Sequence, residues 1–385
     1  MPTEERASTG RRVLQVMECT IGGTRRHLGD ITRGLLERGW DVHLAVSAER
    51  TPGFREDLTE LAALGARVHE VPMVREVNPR KDRAHTHDLV RLIREVAPDL
   101  VHTHSSKAGA LGRRAAHEAG LEAVVHTPHT YSFLFGEMFG PLKRWLFKAL
   151  ERRLSRLARL VVAVSEGEAG TMRSSGVVSP EKVRVVANGI DPKPYELATP
   201  SRPEDSKEGA TRVLVCGLLN VAKGQDLAIS ALKHPGCAAV ELWVVGDGEE
   251  RGALERLASS LGVADRVKLL GHRRDVPRLM KAADILLLPS RWEGMPYVVL
   301  EAASAGLPVV GTPVDGAREF LAEGERGWVA TGADEAAIGE ALASAVQAGL
   351  QVRKQRARRA QAWVLERHAV DRMMDDLEAV YEELL

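Results

Sequence analysis

The chain has 385 residues, 44% hydrophobic and 28% charged, with 53 Lys+Arg against 53 Asp+Glu and so no formal net charge. That balance removes the usual global argument for a nucleic-acid partner, and the longest apolar runs, such as Leu160 to Val164 and Ile285 to Leu288, fall far short of the ~20 apolar residues of a membrane-spanning helix. Cys19, Cys216 and Cys237 are odd in number and have no CxxC spacing. They argue against a disulfide framework or a cysteine zinc site, read as ordinary small core or loop residues, and fit a reducing cytosol.

The length favours two domains. Met1 to Arg12 is polar and lacks the apolar stretch of a secretory signal. Arg12 to Met17 reads as a buried strand, followed by a Gly22-Gly23 loop and a helix from Thr24 to Arg38 that Gly39 ends. Asp41 to Val46 is a strand, Asp57 to Leu64 a helix stopped by Gly65, and Arg67 to Val71 a strand. His87 to Val96 is helical and halts before Pro98. Asp99 to Thr103 is a strand, Lys107 to Ala119 a helix, and Glu122 to Thr127 a strand. Such alternation predicts parallel βαβ units with helices on both faces of the sheet.

Thr199 to Ala210 is polar, carries Pro and Gly, and has no apolar period, so it reads as a linker or surface loop. Beyond it the rhythm repeats, with strands at Arg212 to Cys216, Glu241 to Val245, Val267 to Leu270, Asp284 to Leu288 and Pro308 to Gly311. The last forty residues read as helical, with Met373, Met374, Leu377, Val380 and Tyr381 as a packing stripe. The expected architecture is α/β: two doubly wound, Rossmann-like domains facing a cleft. Ligands in such sheets bind outside the carboxyl ends of the strands.

The strongest chemical signal is Asp284 to Gly311, DILLLPSRWEGMPYVVLEAASAGLPVVG. An apolar strand ends at Pro289-Ser290, a short loop holds Glu293-Gly294, and Pro296 stands where a helix can begin. A helix N-terminus offers N–H donors and a positive dipole end, suited to a diphosphate. Glu301, about one and a half turns into that helix, can accept hydrogen bonds from vicinal ribose hydroxyls.

This segment resembles the nucleotide-sugar motif of retaining GT-B glycosyltransferases, family 4 in particular. The resemblance extends over nearly the whole chain. It takes in Gly22-Gly23, VHTHSSKAGALG from Val101, VHTPH ending at His129, VAVSEGE from Val161, NGID from Asn188, and Gly217 with Lys223-Gly224. VGDGEE from Val245, GHRRDV from Gly271 and TPVDGAREF from Thr312 follow in order. It implies an acceptor-side domain over 1–198, a nucleotide-sugar domain over 211–362 after the 199–210 linker, and a C-terminal helix at 363–385 packing back on the first domain.

The resemblance also implies the roles. Lys223 would touch the diphosphate and neutralise charge on the leaving phosphate. Gly217, Gly22 and Gly23 would let backbone approach it closely. Gly271, His272 and Arg273 would meet the base through main-chain groups. Glu293 would bond a sugar hydroxyl, with Gly294, Met295 and Pro296 beside it, and Glu301 would hold the ribose. His129 would face the donor sugar. Transfer on one face needs no protein nucleophile, because the leaving phosphate helps deprotonate the acceptor. His102 and His104 share a strand face, but no acidic or cysteine partner stands at ligand spacing. No metal or other cofactor is expected.

One departure stands out: the family usually has Arg after the glycine at 217, where this chain has Leu218. Arg25 and Arg26, beside the first-domain glycine pair, are the candidate stand-ins. The implied reaction is sugar transfer from a nucleotide-linked donor, UDP above all, to a saccharide or lipid-linked acceptor in cell-surface glycan synthesis. Alternatives are a GT-B UDP-sugar epimerase and a non-catalytic nucleotide-sugar-binding homologue. A nicotinamide dehydrogenase fits worse, lacking GxGxxG after the first strand and an acid at Val46-Ser47. Pro141 to Leu160 carries Lys143, Arg144, Lys148, Arg152, Arg153, Arg156 and Arg159 against Glu151 alone. With Trp145, Leu146, Leu150, Leu154 and Leu157 on its apolar side, it can lie on an anionic membrane at the cytoplasmic face; the competing reading is a packed helix with a solvated basic face.

Overall fold

A computed structural model describes residues 10–51 and 53–385. Residues 1–9, most of the stretch read as lacking a secretory signal, lie outside the described residues. The chain divides into two compact units, Met1–Asn188 with Val370–Leu385, and Gly189–Ala369.

The first unit is built on seven parallel strands: β1 (Arg12–Met17), β2 (Asp41–Val46), β3 (Arg67–Glu70), β4 (Leu100–His104), β5 (Val124–Thr127), β6 (Leu160–Ala163) and β7 (Val183–Val185). Their spatial order is β3-β2-β1-β4-β5-β6-β7. Strand side chains alternate between faces. Leu14, Val16, Val101 and Val124 therefore join one core, while Val13, Met17, Leu100 and Val125 join the other. Gln15, His102 and His104 fall on the second face by the same alternation, all fully buried.

The second unit repeats the plan with six parallel strands: β8 (Thr211–Cys216), β9 (Val240–Val245), β10 (Val267–Gly271), β11 (Ile285–Leu288), β12 (Val309–Gly311) and β13 (Trp328–Val329). Their order is β10-β9-β8-β11-β12-β13. Val213, Val215, Leu242, Val244, Ile285, Leu287 and Val310 pack into its core.

The structure differs from the sequence reading in several places. The Gly22-Gly23 pair is the first turn of helix Gly22–Glu37, not a loop before it. The helix expected from His87 begins at Pro79, where Asn78 caps it by accepting from the Lys81 N–H at 3.2 Å. Proline at N1 with a preceding Asn is a strong start signal, but the first two turns are polar and gave no apolar period. Residues 199–210 lie inside the second unit, where the Ser206 hydroxyl and Lys207 N–H both bond the buried carboxylate of Glu241 at 2.8 Å. The C-terminal helix is two helices, Gly349–Arg367 and Val370–Glu382, broken at His368.

Only the second of these belongs to the first unit. It buries Met373, Met374, Leu377, Val380 and Tyr381. Met374 sits where any side chain at Gly34 would be. Arg38 bonds Asp375 at 2.9 Å, and the Trp40 indole N–H donates to Glu378 at 2.8 Å.

A buried ion pair anchors helix Pro141–Leu154 in the first unit. Arg113 Nη2 donates to both Glu151 oxygens, at 2.8 and 2.9 Å, and its Nε donates to the Gly109 carbonyl at 2.7 Å. Removing one partner strands a buried charge. Arg113→Ala is therefore expected to destabilise by about 3–5 kcal/mol, read as a fall in the urea midpoint. Arg113→Met with Glu151→Leu, which leaves no buried charge, is expected to recover most of that loss.

Candidate active site

In a doubly wound sheet, crossovers reverse direction at one pair of strands, and the loops there part to leave a crevice beyond the carboxyl ends. The strand orders put that point between β1 and β4 in the first unit and between β8 and β11 in the second. Of the residues singled out from sequence, Gly22-Gly23 follow β1, Gly217 and Lys223 follow β8, and Glu293 to Pro296 follow β11, while His129 follows β5 and Gly271 to Arg273 lie at the end of β10.

In the second unit, β8 ends at Cys216 and runs into Gly217 and the exposed Leu218. Asn220 then caps a single turn, Val221–Lys223, by accepting from the Lys223 N–H at 3.2 Å. Gly224 follows at φ +65, and a side chain there would run into the Pro289 carbonyl at the end of β11. Glycine's lack of Cβ is what lets the two loops touch. Arg291 ties them again, bonding Asp226 at 2.6 and 2.9 Å and the Val221 carbonyl at 2.8 Å.

Lys223 and Glu293 meet as a result. The ammonium donates to Glu293 Oε1 at 2.5 Å, and the Ser290 hydroxyl donates to the same oxygen at 3.0 Å. Pro296 is the N-cap of helix Tyr297–Ser304 and supplies no side-chain cap. Gly316 packs so closely on Gly294 and Met295 that a Cβ would collide with them. Glu301 lies in the helix's second turn and accepts from the Tyr195 hydroxyl at 2.8 Å. Burial pushes the Cys216 thiol pKa well up, and the nearby Glu301 charge adds to it. Gly271 ends β10, and its carbonyl accepts the Gly246 N–H at 2.9 Å. His272 is exposed, while Arg273 is held by both oxygens of Asp275 at 2.8 Å.

In the first unit His129 follows β5, at φ +51, and Thr130 stands at φ +79. Two consecutive non-glycine residues in the left-handed region are costly and need outside support. Glu168 supplies it. Its Oε1 accepts the Thr130 N–H at 2.7 Å and its Oε2 accepts the Val164 N–H at 2.8 Å. Ser165 in turn accepts the Glu168 N–H at 3.0 Å, capping helix Glu166–Ser175. In the SEGE stretch Ser165 thus caps the helix, and its glutamate reaches back to Val164 and across to the histidine turn.

Around His129 lie buried histidines from other elements. The His129 ring is 4.7 Å from that of His27 and 5.5 Å from that of His104. His27 Nδ1 bonds Asn188 Oδ1 at 3.1 Å, and His104 Nε2 bonds Gln15 Oε1 at 2.8 Å. Gln15 Nε2 donates to the Tyr381 hydroxyl at 3.0 Å, and that hydroxyl meets His102 Nδ1 at 2.7 Å. Burial pushes the pKa of His27 down to about 4 and those of His102, His104 and His129 well below the usual value. All four are neutral near pH 7. His27, Asn188, Gln15, Glu168 and Tyr381 were given no site role by the sequence, although SxxE and NGID were visible. Arg25 is held by Asp57 at 2.5 and 2.6 Å and Arg26 bonds Asp30 at 3.4 Å. Both candidate stand-ins at Leu218 are therefore engaged within the first unit.

Residues 21–193 match the family described as Glycosyltransferase Family 4, and residues 210–348 that described as Glycosyl transferases group 1. The chain is 32% identical over 275 residues to an Escherichia coli UDP-Gal:alpha-D-GlcNAc-diphosphoundecaprenol alpha-1,3-galactosyltransferase, covering 67% of this chain and 69% of the relative. The chain belongs to glycosyltransferase family 4. It is a sugar-transferring enzyme of the EC 2.4 class. Anabaena HepE, solved in complex with UDP-glucose, superposes with a TM-score of 0.76 at 25% identity, over 97% of this chain and 99% of HepE. A sucrose-phosphate synthase from Thermosynechococcus elongatus shares the fold at 17% identity, with a TM-score of 0.78 over 97% and 99% of the two chains. Two parallel sheets with flanking helices are the GT-B arrangement of these enzymes.

The histidine turn of this transferase depends on one carboxylate. Glu168→Gln keeps one acceptor oxygen but turns an NH₂ toward the other backbone N–H, at a cost of about 1–3 kcal/mol. Amide exchange at Thr130 is expected to speed up about tenfold or more, measured by hydrogen-exchange mass spectrometry.

Proposed function

We propose that this transferase moves a sugar from a UDP-linked donor to a lipid-linked saccharide, with retention, at the inner face of a membrane during cell-surface glycan synthesis. The observation that carries the donor half is the joined pair of loops in the second unit. They bring Lys223 onto Glu293 at 2.5 Å and set both one short loop ahead of the helix bearing Glu301. A diphosphate suits that ammonium and helix end, Glu301 suits a ribose diol, and Glu293 suits a sugar hydroxyl. The choice of UDP rests on the HepE complex and on the name of the E. coli relative.

In this mechanism Lys223 spreads the charge of the departing diphosphate, which lowers the barrier to breaking the glycosidic C–O bond. Gly217, Gly271, His272, Arg273, Gly294, Met295 and Pro296 line the donor through backbone. Gly22 and Gly23 open the first-unit helix end to the phosphate, and His129 serves the donor sugar. The acceptor proton goes to the leaving phosphate oxygen, so no side chain is asked to act as nucleophile.

The acceptor half rests on helix Pro141–Leu154. Leu154 is buried and Phe147 packs on the core, but most of the apolar stripe does not serve it: Leu142 is 72% exposed, Trp145 64%, Leu146 51% and Leu150 49%. Its single acid, Glu151, is buried against Arg113. Lys143, Arg152 and Arg153 are exposed around the stripe. Among the described residues no helix is long and apolar enough to cross a membrane. Apolar insertion plus about 1 kcal/mol per cation at an anionic surface suits peripheral docking. The E. coli relative is named for a diphosphoundecaprenol-linked acceptor.

Calorimetric titration tests the donor. UDP is expected to bind in preference to GDP, ADP and NAD, and Glu301→Ala to weaken it about 100-fold, as the loss of charged hydrogen bonds to the ribose dictates. Binding of GDP or ADP alone would change the donor. Product analysis by NMR is expected to show a retained anomeric configuration; inversion would overturn that step. Co-sedimentation with anionic vesicles at low salt is expected for the wild type and lost in Trp145→Asp/Leu146→Asp. Equal sedimentation of both proteins would refute the membrane assignment.

A further inference from the structure

We propose that His27, His104 and His129 form a binding site for a borderline transition metal, Zn²⁺ above all. The three imidazoles come from separate elements of the first unit: the helix Gly22–Glu37, the last residue of β4 and the turn after β5. Each offers a ring nitrogen, and the three nitrogens lie within 4.8 Å of one another. The proposal is independent of the choice of donor and acceptor.

The tightest pair already has ligand spacing. His104 Nδ1 and His129 Nε2 are 3.3 Å apart, a long hydrogen bond whose proton a bound ion would displace from His129 Nε2. Two Zn–N bonds of about 2.0 Å at a tetrahedral angle span about 3.3 Å. The outer partners also set the ring tautomers. Gln15 Oε1 is a carbonyl oxygen, so His104 Nε2 carries the proton and donates to it, leaving the Nδ1 lone pair directed at His129. Asn188 Oδ1 fixes His27 the same way: Nδ1 carries the proton, and Nε2 is the basic nitrogen. Metal-binding histidines have this organisation, with the distal N–H given to an oxygen that orients the ring.

The neighbouring His102 is not a ligand. Both its nitrogens are spent, on the Tyr381 hydroxyl at 2.7 Å and on Thr127 Oγ1 at 2.8 Å. The sequence pair at i, i+2 therefore splits: His102 anchors the strand, and His104 joins two histidines distant in sequence. Three neutral nitrogen donors favour Zn²⁺, Ni²⁺ or Cu²⁺ over the oxygen-seeking Mg²⁺ and Ca²⁺. Three protein ligands leave a fourth position open. His27 and His104 are buried, and His129 is half-buried, which gives the ion an entry path. A loaded site engages the His129 lone pair, so metal occupancy and service to the donor sugar exclude each other.

The test is metal titration of the full chain after chelation. Zn²⁺ is expected to bind with a stoichiometry of one. Co²⁺ is expected to give the strong visible absorption of a tetrahedral site, bleached by Zn²⁺ and untouched by Mg²⁺ or Ca²⁺. His27→Gln, His104→Gln and His129→Gln should each weaken binding 100-fold or more. Asn188→Leu, which leaves all three ligands in place, should weaken it about 10- to 100-fold through lost orientation. Thermal melts check that each variant folds, and Zn²⁺ should raise the melting temperature of the wild type but not of His129→Gln. Two results overturn the proposal: no stoichiometric Zn²⁺ or Co²⁺ binding by the wild type, or binding that survives undiminished in folded His129→Gln, which would place the ion among the chain's other histidines.

Discussion

The parallel sheet is the constraint on which the rest of this transferase depends. Parallel strands need crossovers, and in each of these sheets the crossovers reverse direction once, between β1 and β4 and between β8 and β11. Within each sheet the ladder consumes the backbone donors and acceptors, so chemistry is confined to the loops beyond the strand ends. The order β3-β2-β1-β4 places the end of β1 beside that of β4, and β10-β9-β8-β11 does the same for β8 and β11. His104 closes β4, Cys216 closes β8 with Gly217 after it, and Ser290 follows β11. Side chains with no relation in sequence become neighbours because the sheets leave nowhere else for them.

Buried polar groups then set what each unit must keep. Gln15, His102 and His104 occupy a face that is otherwise Val, Leu and Met, and an unmet polar atom there costs about 1–3 kcal/mol. The last helix answers this through Tyr381, whose hydroxyl takes a bond from Gln15 and meets His102. Burial pushes the Tyr381 pKa well up, so it stays a neutral donor. The helix is therefore held by hydrophobic packing and also by the need to satisfy the strand it covers. Glu168 plays a comparable part, sustaining the left-handed pair His129-Thr130 at a place where glycine would be easier.

Much of this was legible in the sequence. Ten strands were read to within two residues at either end, because fully buried parallel strands leave short Val/Leu runs bounded by Gly, Pro or Asp. β6, β7 and β13 were passed over; the last has two residues, too few for any period. The helix start at Pro79 escaped because its first two turns, PRKDRAHT, carry no apolar stripe. The Lys223–Glu293 contact was foreshadowed by motif but not by spacing, since 70 residues separate the two. The histidine cluster was invisible for the same reason: His27 meets Asn188 across 161 positions, and Gln15 meets Tyr381 across 366. Periodicity reports burial within one element, and it is silent about which elements the topology makes adjacent.

The helix Pro141–Leu154 shows why composition and surface must be argued separately. A chain with as many acids as bases offers no net field, yet field strength at a surface is set by charges within about 8 Å at physiological salt. Segment 141–160 holds seven cations and one acid. Folding turns that acid inward, where Arg113 neutralises it, so its charge no longer offsets the outer face. The same step fixes the helix's rotation. With Glu151 and Leu154 directed to the interior, Leu142, Leu146 and Leu150, spaced four apart, are carried to solvent. The helix is thus packed on one side, through Glu151, Leu154 and Phe147, and carries exposed leucines beside its cations on the other. What remains is an apolar stripe bordered by cations, held in place by one buried ion pair.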